Sequence, residues 1–192
     1  MDSTEASLWL VRHGATDWSE AGRHTGRAEV QLNGRGRAAA QRAGELLDGR
    51  EFSVVLVSPQ IRARETCALL GYSDQATTVE DLVEWDYGDY DGLTDAQTRE
   101  RSPGWSLLRD GAPGGESPAD VHSRVARVLA SLESRNGPAL IVSHGKTLRL
   151  LTATWLGHDV DFAEHLPFDA GALSVLDTDD GFRILRLWNL RA

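Results

Sequence analysis

Three nearly unbroken apolar runs stand out along the 192-residue chain: "LWLV" at 8–11, "FSVVLVS" at 52–58 and "ALIVS" at 139–143. Each is short for a helix, and the last two are dense in β-branched residues, so they read as buried strands. Elsewhere the period changes. In "NGRGRAAAQRAGELLDGR", Ala39, Ala43, Leu46 and Leu47 recur at helical spacing before a closing Gly49. Pro59 stands where a first helical residue would, and "QIRARETCALLG" continues that helix to Gly71. "ESPADVHSRVARVLASLESR" opens on Ser117 as N-cap with Pro118 behind it, then turns amphipathic. A further helical run follows Gly145 and reaches Leu156. A weaker strand is predicted near 77–79, and a closing hairpin from 172–176 and 182–187 around "DTDDG", with 177–180 as a solvated acidic turn. The stretches at 85–93, "WDYGDYDGL", and at 102–115, rich in glycine and proline, read as loops, the second able to cover a site.

Strands alternating with helices predict an α/β fold: a three-layer α/β/α sandwich on a mostly parallel sheet, as one domain over 1–192. No internal repeat or linker interrupts it. With 41% hydrophobic and 26% charged residues, the composition is that of an ordinary globular protein. The net charge of −9 offers no overall basic field for nucleic acid or anionic lipid, so any phosphate must be held by a local cluster. Cys67 is the only cysteine, which rules out an internal disulfide, and it falls inside a predicted helix as core filler. The opening "MDSTEAS" is too acidic and polar for a signal or transit peptide, and no apolar run approaches the roughly 20 residues of a membrane span. The expectation is a cytoplasmic protein with neither membrane nor nucleic-acid partners.

Candidate chemistry gathers at the strand ends. Val11 runs into Arg12-His13-Gly14, Val142 into Ser143-His144-Gly145, and Val57 into Ser58-Pro59 with Arg62 a turn further on. In open α/β sheets the carboxyl edge is where ligands bind. If the three strands are parallel, one rim collects His13, His144, Arg12 and Arg62, and a helix starting near Pro59 aims its positive end there. Gly14 is expected to let backbone N–H groups approach a ligand. A lone histidine at a strand end is usually structural, but two in matching positions beside arginines point to a functional site. Arginine forks bind phosphate oxygens in pairs, and a neutral imidazole can attack phosphorus once its other nitrogen is hydrogen-bonded. For a proton donor, "LVEWDYGDYDG" supplies Glu84, Asp86, Asp89 and Asp91. A metal centre is the rival reading of a histidine cluster. The six histidines, however, show no HxxxH or HExxH spacing and no cysteine partner, so neither metal nor cofactor is expected. His24 and the aromatics Trp85, Tyr87 and Tyr90 could face a substrate or pack the core, and His122 reads as surface or packing.

Taken together, "LVRHGATDW", "RHTGRAEVQLNGRGRAAAQRAGELL", "VLVSPQIRARETCALL", "LVEWDYGDYDGL", "GGESPADVHSRVARVL" and "ALIVSHGKTLRLL" resemble the histidine phosphatase superfamily, the phosphoglycerate mutase-like group, over nearly the whole chain. The resemblance implies that His13 is the phosphorylated nucleophile, that Arg12, Arg62 and His144 hold the phosphoryl group, and that Glu84 is the proton donor. It implies a metal-independent reaction on a small phosphorylated metabolite and leaves a homodimer open. Within the superfamily, cofactor-dependent mutases carry an inserted segment with an Arg pair for the substrate carboxylate. Between Gly92 and Glu116 this chain has Arg99, Arg101 and Arg109 but no such pair. That favours a phosphatase, similar to the small bacterial acid phosphatases, with a phosphoglycerate mutase as the alternative and a non-catalytic phosphate-binding module behind it. His24-Thr25-Gly26 resembles the mutases' substrate loop, which brings Thr25 and Gly26 into the expected phosphate site. Ser19 stands where many members have Asn and is expected to hold phosphate less directly. A carboxyl that must protonate the leaving alkoxide sets the expectation of fastest turnover at mildly acidic pH.

Overall fold

The computed structural model describes residues 7–191, so the polar start of the chain, 1–6, and residue 192 lie outside the described residues, as do those ends of the predicted domain. The apolar runs form strands β1 (Leu8–Arg12), β2 (Val54–Val57) and β4 (Ala139–Ser143), and β3 (Ala76–Thr78) takes the weaker position. They pair in parallel, and the sheet is completed by antiparallel β5 (Leu173–Asp179) and β6 (Phe182–Leu190), in the order β3-β2-β4-β1-β5-β6. The expected three layers follow from alternation along the strands. Leu8, Leu10 and Ile141 face one apolar core under α6 (Pro118–Leu132) and α7 (Gly145–Trp155). Val11, Val57 and Val142 face a second, under α2 (Gly34–Leu47) and α3 (Ile61–Leu69). Cys67 is buried in the second core, and burial pushes its thiol up to about 11. Among the described residues no helix is long and apolar enough to cross a membrane.

Boundaries depart from the sequence reading where tertiary partners decide them. Helix α3 begins at Ile61 with Gln60 as N-cap, so Pro59 lies two residues ahead of the helix, in the turn leaving β2. Glu29 takes the Ile61 N–H through its carboxylate (2.8 Å), so the first turn of α3 is already capped. The acidic turn is also shorter than expected. Asp177 to Asp179 belong to β5, Asp177 is buried and pairs with Arg186 (2.9 Å), and only Asp180 and Gly181, both at positive φ, make the turn. Such a two-residue connection matches the twist of the flanking strands. The glycine-rich 102–115 stretch, which follows helix α4 (Asp95–Arg101), is not wholly irregular, since it contains the one-turn helix α5 (Leu107–Asp110). The hydroxyl of Ser117 caps α6 at the Asp120 N–H, with Pro118 at the start, as the sequence requires.

Candidate active site

Register sets the site. Val11 stands opposite Val142 and Arg12 opposite Ser143, and His13 N–H donates to the Ser143 carbonyl (2.9 Å), so the two histidines leave adjacent strands at equivalent heights. Their rings meet edge to face with centroids 5.0 Å apart. Both are buried. Burial, reinforced by Arg62 and Arg12, holds the His13 pKa well below the usual imidazole range, and burial with Arg62 does the same to His144. His13 Nδ1 lies 2.7 Å from the Gly14 carbonyl. A carbonyl can only accept, so a neutral His13 carries its proton on Nδ1 and turns an unprotonated Nε2 outward.

Gly14 acts differently from the expectation. Its N–H donates to Thr66 Oγ1 (3.1 Å), and a Cβ on it would stand 2.2 Å from the Gly36 carbonyl oxygen. Its missing side chain admits the backbone of α2 rather than a ligand. Gly36 is constrained reciprocally, its would-be Cβ 2.0 Å from the Ala15 oxygen.

A cavity of about 160 Å³ opens over His13. Of the sequence-predicted residues, Arg12, His13, Ser19, Thr25 and Glu84 line it. The half-buried Arg12 guanidinium donates through one Nη to the Phe168 carbonyl and lies against Gly145, where a Cβ would come within 3.2 Å of its Cζ. Arg12 Nε has no hydrogen-bond partner among the described residues. That atom is sealed from solvent against Gly145, while the rest of the Arg12 side chain lines the cavity, and a buried donor left unmatched costs free energy. Ser19 is the third residue of α1 (Asp17–Glu20), where its hydroxyl accepts from the Thr16 N–H (2.9 Å) while Thr16 Oγ1 accepts from the Ser19 N–H (3.0 Å). That reciprocal cap occupies the hydroxyl expected on phosphate.

Arg62, His144 and Gly26 are not part of the cavity surface. Arg62 Nε donates to His144 Nδ1 (3.2 Å), and its Nη groups donate to the carbonyls of Ala28 (2.8 Å), Thr25 (3.1 Å) and Gly26 (3.0 Å). With Nδ1 accepting, the His144 proton is on Nε2, 2.7 Å from Ser58 Oγ. Arg62 thus sits in a layer where every donor needs a partner, and loop carbonyls supply them. An anion reaching Arg62 or His144 has to compete with those contacts. Gly26 N–H is likewise committed, to Asp91 Oδ1 (2.8 Å), and a Cβ at Gly26 would meet the Trp85 carbonyl at 2.9 Å.

Glu84 is buried at the start of α7. Its Oε1 accepts from the N–H groups of Trp85 and Thr147 (both 3.0 Å), and Oε2 from that of Lys146 (3.1 Å). The Thr147 hydroxyl stands 3.1 Å from Oε1 but is closer to the Val83 carbonyl, at 2.7 Å. Here a carboxylate answers the orphan donors at a helix N-terminus. Of the other acids, Asp86 accepts from the Gly88 N–H (2.9 Å) and pairs with Arg27 (3.4 Å), Asp91 holds the Gly26 N–H, and Asp89 is exposed. All three aromatics pack in the core, and Tyr87 also reaches the cavity and stacks on His24 with centroids 4.6 Å apart. His24 lines the cavity too, and His122 is exposed.

The sequence reading missed Arg23, Lys146, Arg149 and Phe168, which complete the lining. For Lys146 and Arg149 a signal existed: in "SHGKTLRLL" they follow the second His-Gly at i and i+3, on one helix face. Among the described residues no group of three His, Cys, Asp or Glu side chains could hold a metal ion.

Comparison with known proteins places these features in a family context. A model of the histidine phosphatase superfamily (branch 1) matches residues 8–191. An acid phosphatase of Mycobacterium tuberculosis is 38% identical over 189 residues, covering 95% of this chain and 92% of its own length. An adenosylcobalamin/alpha-ribazole phosphatase of Escherichia coli is 32% identical over 196 residues, 96% of each chain. The solved structure of an open reading frame of Mycobacterium tuberculosis superposes with a TM-score of 0.89 at 36% identity, over 97% of this chain and 98% of that one.

Proposed function

Because this chain belongs to the histidine phosphatase superfamily and is a phosphoric monoester hydrolase by its relatives, we propose that it hydrolyses small phosphomonoesters through a phosphohistidine on His13. The observation that carries the proposal is the His13 ring, neutral and locked by the Gly14 carbonyl, with Nε2 left toward a cavity that Arg12 also lines. The Nε2 lone pair attacks phosphorus and the bond to the ester oxygen breaks. The departing alkoxide takes a proton from Glu84, and charge on the equatorial oxygens is met by Arg12, with Arg62 and His144 behind it. Water then attacks the phosphohistidine, gives its proton to Glu84, and frees inorganic phosphate and neutral His13. The depressed His13 pKa keeps the nucleophile unprotonated at mildly acidic pH, which supports an acidic optimum.

The test is chemical. Brief reaction with labelled phosphomonoester should leave acid-labile, alkali-stable phosphate on the protein, and His13→Ala should trap none and lose nearly all turnover. Full activity in His13→Ala refutes the mechanism. In parallel, phosphate release should need no bisphosphate primer and should resist EDTA. Isomerisation of 3-phosphoglycerate faster than phosphate release would make the protein a mutase instead.

A further inference from the structure

Four cationic side chains line the cavity, Arg12, Arg23, Lys146 and Arg149, against a single carboxylate, Glu84. Arg12, with Arg62 beneath, matches the two charges of a phosphomonoester. The others have no such account. Lys146 is the second residue of α7 and Arg149 stands one turn further along, about 4.5 Å by helix rise. Both are partly buried, and burial lowers the pKa of each, with Arg149 adding to the effect on Lys146. Glu84, Asp95 and Glu164 oppose the shift from a distance, but no ion pair joins Lys146 or Arg149 to a carboxylate among the described residues. Arg149 is held in place through Nε, which donates to the Ala163 carbonyl (2.7 Å), leaving its Nη groups for other partners. Two like charges three residues apart on a helix repel, and partial desolvation sharpens that repulsion. Such a pair is stable when an anion sits between its members.

We propose that the substrate carries a second anionic group, a carboxylate or a further phosphate, which Lys146 and Arg149 bind on the cavity wall, with Arg23 at the rim. This rests on the phosphatase reading and narrows it to esters with a negative charge a few atoms from the phosphoryl group. Its position follows from α7: the Lys146 N–H is bonded to Glu84, so the second anion lies beside the carboxyl that serves the leaving group.

The test is a three-carbon series assayed by phosphate release: glycerol 3-phosphate without a second anion, 3-phosphoglycerate with a carboxylate, and propane-1,3-diyl bisphosphate with a phosphate. One of the two latter substrates should exceed glycerol 3-phosphate in kcat/KM by roughly tenfold or more, the scale of one charge-assisted contact, and the larger of the two identifies the anion. Lys146→Gln and Arg149→Gln should each collapse that ratio. A merely structural role would lower all three substrates together and keep the ratio, which overturns the inference. So does a wild-type ratio near one, a measurement that needs no variant. If these esters and p-nitrophenyl phosphate all stay intact, the phosphatase reading falls and takes this inference with it; hydrolysis without preference defeats the inference alone.

Discussion

Replacing Glu84 with glutamine changes one atom and separates two roles that the carboxyl plays at once. In the native protein Oε1 accepts two backbone N–H groups, from Trp85 and Thr147, and Oε2 accepts that of Lys146. The best orientation of Gln keeps its oxygen on the first two and sets its NH2 against the Lys146 N–H, donor to donor. A buried hydrogen bond to a charged group is lost, about 2 kcal/mol, and for a chain of this length that lowers Tm by about 4–8 °C. Thermal unfolding followed by circular dichroism reads this directly. Catalysis should fall independently and by leaving group. An alkoxide needs the proton, so hydrolysis of a sugar phosphate should slow by ~10²–10⁴, whereas the step that phosphorylates His13 from p-nitrophenyl phosphate should suffer much less. Water activation would then limit turnover, and stopped-flow traces with the nitrophenyl ester should show a burst of nitrophenol. If both esters slow equally and no burst appears, Glu84 is a structural cap only, and Asp86 becomes the next donor to test. An unchanged Tm would contradict the hydrogen-bond account of the α7 start.

Two further predictions concern stability. His13 and His144 have folded-state pKa values well below 6.5, so above pH ~6.5 neither state holds their protons, and below it the unfolded chain takes up protons that the folded protein excludes. Stability is therefore full well above pH 6.5 and falls as the pH drops below it, on the order of 1 kcal/mol per group per pH unit while the folded rings stay neutral; urea titrations showing a flat profile from pH 7 into mild acid would refute the burial of two neutral rings. Gly36→Ala places a Cβ 2.0 Å from the Ala15 oxygen, backbone against backbone, and should cost more than ~2 kcal/mol and much of the activity, while Gly22→Ala, with open space but φ of +65°, should cost only about 1 kcal/mol; equal costs would show that the close approach of α2 to the His13 loop is unimportant.

Strands were legible because β-branched runs and abrupt endings are local properties, and the matching exits at His13 and His144 made the rim readable before any pairing was known. The family resemblance is borne out by the model match and by relatives over nearly the full chain. What escaped depends on partners far away in sequence. Pro59 is a good first helical residue, but the Gln60 side chain donates to the Gly26 carbonyl (2.6 Å) and accepts from the Glu84 N–H (2.8 Å), and the helix starts behind it. Gly14 looked like a ligand-facing glycine because nothing local reveals that Gly36 packs on it. Arg62 looked like a free phosphate clamp because its carbonyl partners at Thr25, Gly26 and Ala28 come from a loop more than thirty residues earlier. Lys146 and Arg149 were hidden in plain helical spacing, where a cation is ordinarily just a solvated face.

The strand order carries a consequence for how the protein is made. β1 and β2 are not neighbours; β4, which comes from late in the chain, lies between them. On the ribosome the first two strands emerge with no partner for their facing edges, and those edges stay unpaired until residues 139–143 arrive. Pairings of such long sequence separation form slowly and leave sticky apolar strands exposed meanwhile. His13 and His144 come together in that same insertion. A chain ending before β4 therefore lacks His144 and the strand that joins β1 to β2, and the other edge of β1 waits longer still, for β5.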